Sequence, residues 1–234
     1  MKTALIRTQA EQQPNLLVYF AGWGTPLSAV SHLTVPKDYE LLICYDYQNL
    51  QLDFDFSPYA DIRLVAWSMG VWVANQTMQN VPLRSATAVN GTGQPCHDEF
   101  GIPCEIFRGT LAGLDEANRT KFERRICGDK QTFAYYQQLP EQRQFPEIHA
   151  ELTALYAMMQ HSDRAEIPWT HAVIAKQDRI FPAANQLAYW QARQVQTQSQ
   201  TQLHCCDGAH YVFLHYFRWA ELWEFPHEAA PHDL

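Results

Sequence analysis

An α/β fold built on a mostly parallel central sheet is what this 234-residue sequence predicts, on three observations. Short runs of aliphatic and β-branched residues recur along the chain almost without polar interruption. One of them leads straight into a serine flanked by small residues and then into a helical pattern. A block with helical periodicity interrupts the series past the middle of the chain.

The runs are Leu16 to Phe20, Leu41 to Tyr45, Ile62 to Trp67, Ser85 to Val89 and Ala172 to Ala175, each bounded by turn-forming residues. Continuous apolar character, rather than strict alternation, is what a strand needs when both of its faces are covered, so helices or loops are expected on either side of the sheet. Lys2 to Arg7 and Thr201 to Cys206 are weaker strand candidates near the two ends. Between about Thr110 and Ser162 the period changes. Ile148, Leu152, Leu155, Tyr156 and Met159 fall at i, i+4, i+7, i+8 and i+11, on one face of a helix, and Phe122 and Ile126 form a similar pair. The chain therefore divides into a core of residues 1–109 and 163–234 and a helical lid, 110–162, inserted into it; ordinary flanking helices are the alternative. Gln194 to Gln202 reads as a solvated connection.

With 47% hydrophobic residues the chain can bury one substantial core. A net charge of −8 argues against general nucleic-acid binding, which needs an excess of Lys and Arg on some face. The six cysteines form no CxxC pair and read as free thiols, and no HExxH spacing suggests zinc. No run of eighteen apolar residues occurs, and Lys2 and Arg7 interrupt the start where a signal peptide needs a longer apolar stretch, so a cytoplasmic protein is expected.

The chemistry concentrates in three places. Val65-Ala66-Trp67-Ser68-Met69-Gly70 carries a strand into a serine and then a helix, a nucleophile elbow in which Ala66 replaces the first glycine of G-x-S-x-G. Small residues on both sides let the chain turn sharply and expose the Ser68 hydroxyl at the edge of a sheet. Phe20-Ala21-Gly22-Trp23-Gly24-Thr25 follows another apolar run and can bring the Trp23 N–H beside that of Met69 as an oxyanion hole; a plain glycine-rich turn is the competing reading. His210, in the loop Asp207-Gly208-Ala209 before an aromatic segment expected to be helical, is the candidate base. Asp178, at the end of the run through Ala175 and ahead of Pro182, is the candidate acid, and the order Ser68, Asp178, His210 is that of an α/β-hydrolase. Asp98, beyond the Asn90-Gly91-Thr92 loop, is its rival, and a surface ion pair with Arg179 is the bland role for Asp178.

These segments, with Ala88-Val89-Asn90-Gly91-Thr92-Gly93, Phe122-Glu123-Arg124-Arg125-Ile126-Cys127-Gly128 and His210-Tyr211-Val212-Phe213, resemble the BioG-type pimeloyl-acyl-carrier-protein methyl ester esterases. The resemblance implies hydrolysis of the methyl ester of pimeloyl carried on acyl carrier protein, releasing methanol in biotin synthesis, without metal or organic cofactor. Arg119, Lys121, Arg124, Arg125, Lys130 and Arg143 then become candidates for holding the acidic carrier, with a solvated helix face as the alternative. Trp67, Phe122, Tyr135 and Tyr156 are candidate walls for the methylene chain, although aromatic residues are more often core. A general carboxylesterase or thioesterase, or a binding protein on a hydrolase scaffold, would share the serine, histidine and aspartate.

Overall fold

In the computed structural model, residues 1–7, 14–162, 165–198 and 200–225 are described. The apolar runs become β2 (Asn15–Phe20), β3 (Tyr39–Tyr45), β4 (Ile62–Trp67), β5 (Ser85–Val89) and β6 (His171–Ala175), and the weaker end segments become β1 (Lys2–Ile6) and β7 (Gln202–Cys206). They form one seven-stranded sheet in the order β1-β3-β2-β4-β5-β6-β7. All neighbours are parallel except β1 and β3. The central strands β2 and β4 are buried along nearly their whole length, as their continuous apolar character requires.

Among the described residues, α1 (Met69–Thr77), between β4 and β5, and α6 (Ala183–Thr197), between β6 and β7, pack directly against the sheet. Elsewhere loops take the place of helices. Residues 46–61, between β3 and β4, pack Leu50, Leu52, Phe54, Phe56 and Tyr59 against the core, with Phe54 stacked on Tyr59 and meeting Phe56 edge-on. The chain after His210 likewise differs from the expected aromatic helix. It forms two short 3-10 turns, Phe213–His215 and Trp219–Leu222, because Phe213 and Trp219 are both drawn fully into the core and Tyr216 between them is extended. The supposed connection 194–202 is helical as far as Thr197, since α6 buries Gln186, Tyr189, Trp190 and Arg193 on one face; residue 199 lies outside the described residues.

Between β5 and β6 stand four helices: α2 (Cys104–Ala112), α3 (Glu116–Cys127), α4 (Lys130–Gln137) and α5 (Phe145–His161). Helical structure thus begins at Cys104, ahead of the expected Thr110. Pro103 sets its start and the Asp98 carboxylate accepts the Cys104 N–H at 2.7 Å, while Gly109 in its middle weakens the sequence signal. Asp115 and Asp129 cap α3 and α4 in the same way. Residues 163–164 and 226–234 of the expected second core segment lie outside the described residues.

At the β6–β7 edge His171 Nδ1 lies 3.1 Å from His204 Nε2, and Phe225 stacks on His204 with ring centroids 3.6 Å apart. Burial, and for His171 also the neighbouring imidazole, push both groups down, His171 to about 4. A histidine whose folded pKa lies below its unfolded value of about 6.5 binds fewer protons folded than unfolded in that interval. The stability it contributes is complete above about pH 6.5 and is lost as pH falls toward 4. Urea midpoints at pH 7 and pH 5 check this: the wild type should lose stability on acidification, and His171→Gln should lose less. Equal losses would mean that the pair does not govern acid stability.

Candidate active site

Ser68 stands between β4 and α1 at φ 59° and ψ −124°, a conformation L-residues rarely adopt. Its N–H is held by the Val89 carbonyl of β5 at 2.9 Å. The turn is possible because α1 lies close under β2: a Cβ on Gly70 would stand 2.6 Å from the Phe20 carbonyl oxygen. Ala66, in place of a glycine, sits between Phe20 of β2 and Ala88 of β5 and is fully buried. Although Ser68 occupies the N-cap of α1, its hydroxyl makes no cap bond. Instead Oγ lies 2.9 Å from His210 Nε2.

His210 follows β7 and Asp178 follows β6, so parallel strands deliver both to the edge of the sheet where Ser68 stands. Asp178 Oδ2 is 2.8 Å from His210 Nδ1. The same oxygen accepts Gln186 Nε2 at 3.0 Å, and Oδ1 accepts the Ile180 and Phe181 amides at 2.8 and 3.0 Å. All three side chains are buried. A serine, an imidazole and a carboxylate linked in this order can activate the hydroxyl as a nucleophile and return its proton to a leaving group. Asp98 is not part of this chain; it is exposed and occupied at the start of α2.

Asn90, to which sequence reasoning gave no role, and Trp67, expected only as a wall, hold the histidine in place. Asn90 Nδ2 donates to the His210 carbonyl at 2.8 Å and to that of Ala209 at 3.3 Å, and its Oδ1 accepts the Ala175 N–H at 2.8 Å. Trp67 Nε1 also donates to the His210 carbonyl, at 3.0 Å, and Phe181 lies parallel to the imidazole with centroids 6.0 Å apart. The Asn90-Gly91 turn was the visible signal, since asparagine tolerates the positive φ of 47° found there.

A narrow cleft opens over Ser68 and His210. Trp23, Trp67, Met69, Phe122 and Arg125 line it, as do Ile106, Phe107, Ile126, Leu152, Arg179 and Ile180, none of which sequence reasoning placed at the site. Among the described residues neither the Trp23 nor the Met69 amide N–H has an acceptor. Two of the expected walls lie elsewhere: Tyr135 faces solvent on α4, and Tyr156 stands behind Phe107, stacked on it at 5.7 Å. The basic residues also divide. Lys121, Arg124, Arg125 and Lys130 are exposed, whereas Arg119 is paired with Glu123 at 2.8 Å. Arg143 is buried against Asp46 at 3.0 Å and Glu151 at 2.6 Å, so it is a structural cation rather than a contact for a carrier. No group of His, Cys, Asp or Glu among the described residues is arranged to hold a metal ion.

Parallel sheet, serine at the strand-to-helix turn and helices inserted before β6 define an α/β-hydrolase, and comparison with solved structures agrees. A lipase-esterase related protein from Clostridium acetobutylicum, 14% identical, superposes with a TM-score of 0.61 over 90% of this chain and 93% of its own. The crystal structure of BioG from Haemophilus influenzae, 53% identical, does so with a TM-score of 0.88 over 96% of this chain and all of that one. The family model described as pimeloyl-ACP methyl esterase BioG matches residues 1–222. The chain belongs to the BioG family and is a carboxylic ester hydrolase. A further relative, malonyl-acyl-carrier-protein O-methyltransferase of Bacteroides fragilis, is 40% identical over 198 residues, which are 83% of this chain but 39% of that longer protein.

Asn90→Ala should leave the Ala175 N–H unpaired and the His210 carbonyl with one donor fewer. An unsatisfied buried group costs about 1–3 kcal/mol, and in a chain of this size each kcal/mol lowers the melting temperature by roughly 2–4 °C. Thermal unfolding checks it; an unchanged melting temperature would show that Asn90 does not bolt the histidine segment to the sheet.

Proposed function

We propose that this protein hydrolyses the methyl ester of pimeloyl-acyl carrier protein, in the cytoplasm and as a step of biotin synthesis, with Ser68 as nucleophile, His210 as general base and acid, and Asp178 orienting the imidazole. Membership of the BioG family over residues 1–222 is the observation that carries this reading. Ser68 Oγ attacks the ester carbonyl as His210 Nε2 takes its proton. The Trp23 and Met69 amides receive the oxyanion. Collapse expels methoxide, protonated by His210 as methanol, and His210 then deprotonates a water that attacks the acyl-enzyme and frees the carboxylate.

The apolar cleft supports an aliphatic acyl chain, with Trp67 and Phe122 among its walls. The helices from Cys104 to His161 act as the lid. Its exposed cations, Lys121, Arg124, Arg125 and Lys130, offer an acidic carrier a positive face on an otherwise negative protein. No helix among the described residues is long and apolar enough to cross a membrane.

Mass spectrometry of methyl pimeloyl-carrier protein before and after incubation tests the reading. Wild type should remove the methyl group, and Ser68→Ala should be slower by at least about 10³-fold, as loss of a serine nucleophile requires. Folded wild-type protein that leaves the ester intact would overturn the substrate. Replacing both Lys121 and Arg124 by Glu should raise KM for the carrier substrate, most at low salt, and leave turnover of a small methyl ester unchanged. An unchanged KM would remove these cations from the carrier-binding face.

A further inference from the structure

The turn that carries the Trp23 amide is held from the lid. Helix α5 turns Ile148, Glu151 and Leu152 toward the sheet, all buried. The Ile148 carbonyl accepts the Trp23 indole N–H at 2.8 Å. Glu151, with no exposed surface, accepts the Gly24 N–H through Oε2 at 3.1 Å and the Tyr47 N–H through Oε1 at 3.0 Å. Gly24 has φ +66°, and a Cβ there would lie 2.9 Å from Ile148 Cγ2, so the turn fits under α5 only with glycine at this position.

The carboxylate is itself fixed. Arg143 Nη1 donates to Oε2 at 2.6 Å, and Nη2 reaches Asp46 at 3.0 Å. Asp46 is tied in turn to Lys2 of β1 at 2.8 Å. On the other side of the turn the Tyr47 hydroxyl donates to the Ala21 carbonyl at 2.7 Å. Three charged side chains are thereby buried together at the contact of lid and sheet. A buried charged cluster of this kind is weak evidence for stability, since well-packed apolar residues often do as well. What it supplies here is placement of the residues on either side of the Trp23 amide.

We propose that Glu151, clamped by Arg143, is a positioning residue for ester hydrolysis: it sets the Trp23-Gly24 turn so that the Trp23 N–H meets the oxyanion. The proposal rests on the esterase reading of Ser68 and on Trp23 as a donor. Glu151 touches neither Ser68 nor His210 in the network described above; it acts through the backbone, and displacement of a reacting group by about 1 Å can cost on the order of 10²-fold.

The test uses the full-length protein and a small methyl ester, dimethyl pimelate, with active sites counted by a fluorophosphonate probe so that unfolded protein is excluded. Glu151→Gln should lower kcat per labelled site by roughly 10- to 100-fold with KM within about twofold, because a misplaced donor is felt mainly at the transition state. Affinity for a trifluoromethyl ketone, which forms a tetrahedral adduct on serine, should fall by a similar factor, while inhibition by free pimelate stays the same. Should Glu151→Gln fail to fold, Arg143→Lys, which keeps the carboxylate and loosens its clamp, is read by the same ratios with a smaller expected loss. A variant that melts lower yet keeps kcat per labelled site and the ketone affinity would overturn the proposal and leave Ser68 as the nucleophile. Wild-type protein that neither labels nor turns over would instead overturn the esterase reading beneath it.

Discussion

Ser68 occupies a backbone conformation that costs on the order of 1–3 kcal/mol and persists only where its surroundings over-determine it. Here the Val89 carbonyl fixes its N–H, α1 lies hard against β2 at Gly70, and a fully buried Trp67 precedes it. Once the chain is forced through that turn, the hydroxyl can only project from the carboxyl edge of the sheet. The loops after β5, β6 and β7 reach the same edge, and each contributes one group: Asn90, Asp178 and His210. The interdependence is close, since Asn90 ties the His210 carbonyl to the Ala175 amide and so links the ends of β5, β6 and β7.

Charge is distributed with a similar division of labour. Asp46, Arg143 and Glu151 are buried, and their pKa directions follow from their partners. Burial pushes Glu151 up, only partly countered by Arg143 and the amides it accepts. Burial also opposes ionisation of Asp46, but Lys2, Gln48 and Arg143 together more than offset it and hold that carboxyl down. The exposed cations on α3 and α4 have no comparable burden, so they can be exchanged with little effect on folding.

The sheet was legible because each core strand is an apolar run with few polar interruptions, and Ser68, Asp178 and His210 were legible because each sits beside turn residues at a strand end. What stayed hidden depends on placement in three dimensions. Arg143 looks like its neighbours Arg119 and Arg124 in the sequence, yet a loop from β3 brings Asp46 to it and buries it. Tyr156 shares a helical stripe with Leu152, yet Leu152 meets the cleft while Tyr156 stacks on Phe107. The start of α2 was obscured by Gly109, and the 3-10 turns after His210 by aromatic residues whose burial, not their propensity, shapes the backbone.

The loop 46–61 packs side chains against the core while making few main-chain bonds of its own, among them Gln48 N–H to Asp46 and Tyr59 N–H to Phe56. A helix in that position would close its amides internally. Beyond Tyr47, whose N–H is held by Glu151, this segment is fastened largely through the packing of Leu50, Leu52, Phe54, Phe56 and Tyr59, so that packing sets much of its free energy of local opening. Amide protons there should exchange with water far sooner than those of the buried central strands β2 and β4. The protein thus wears a cover that can lift in part without unthreading the strands that carry Ser68.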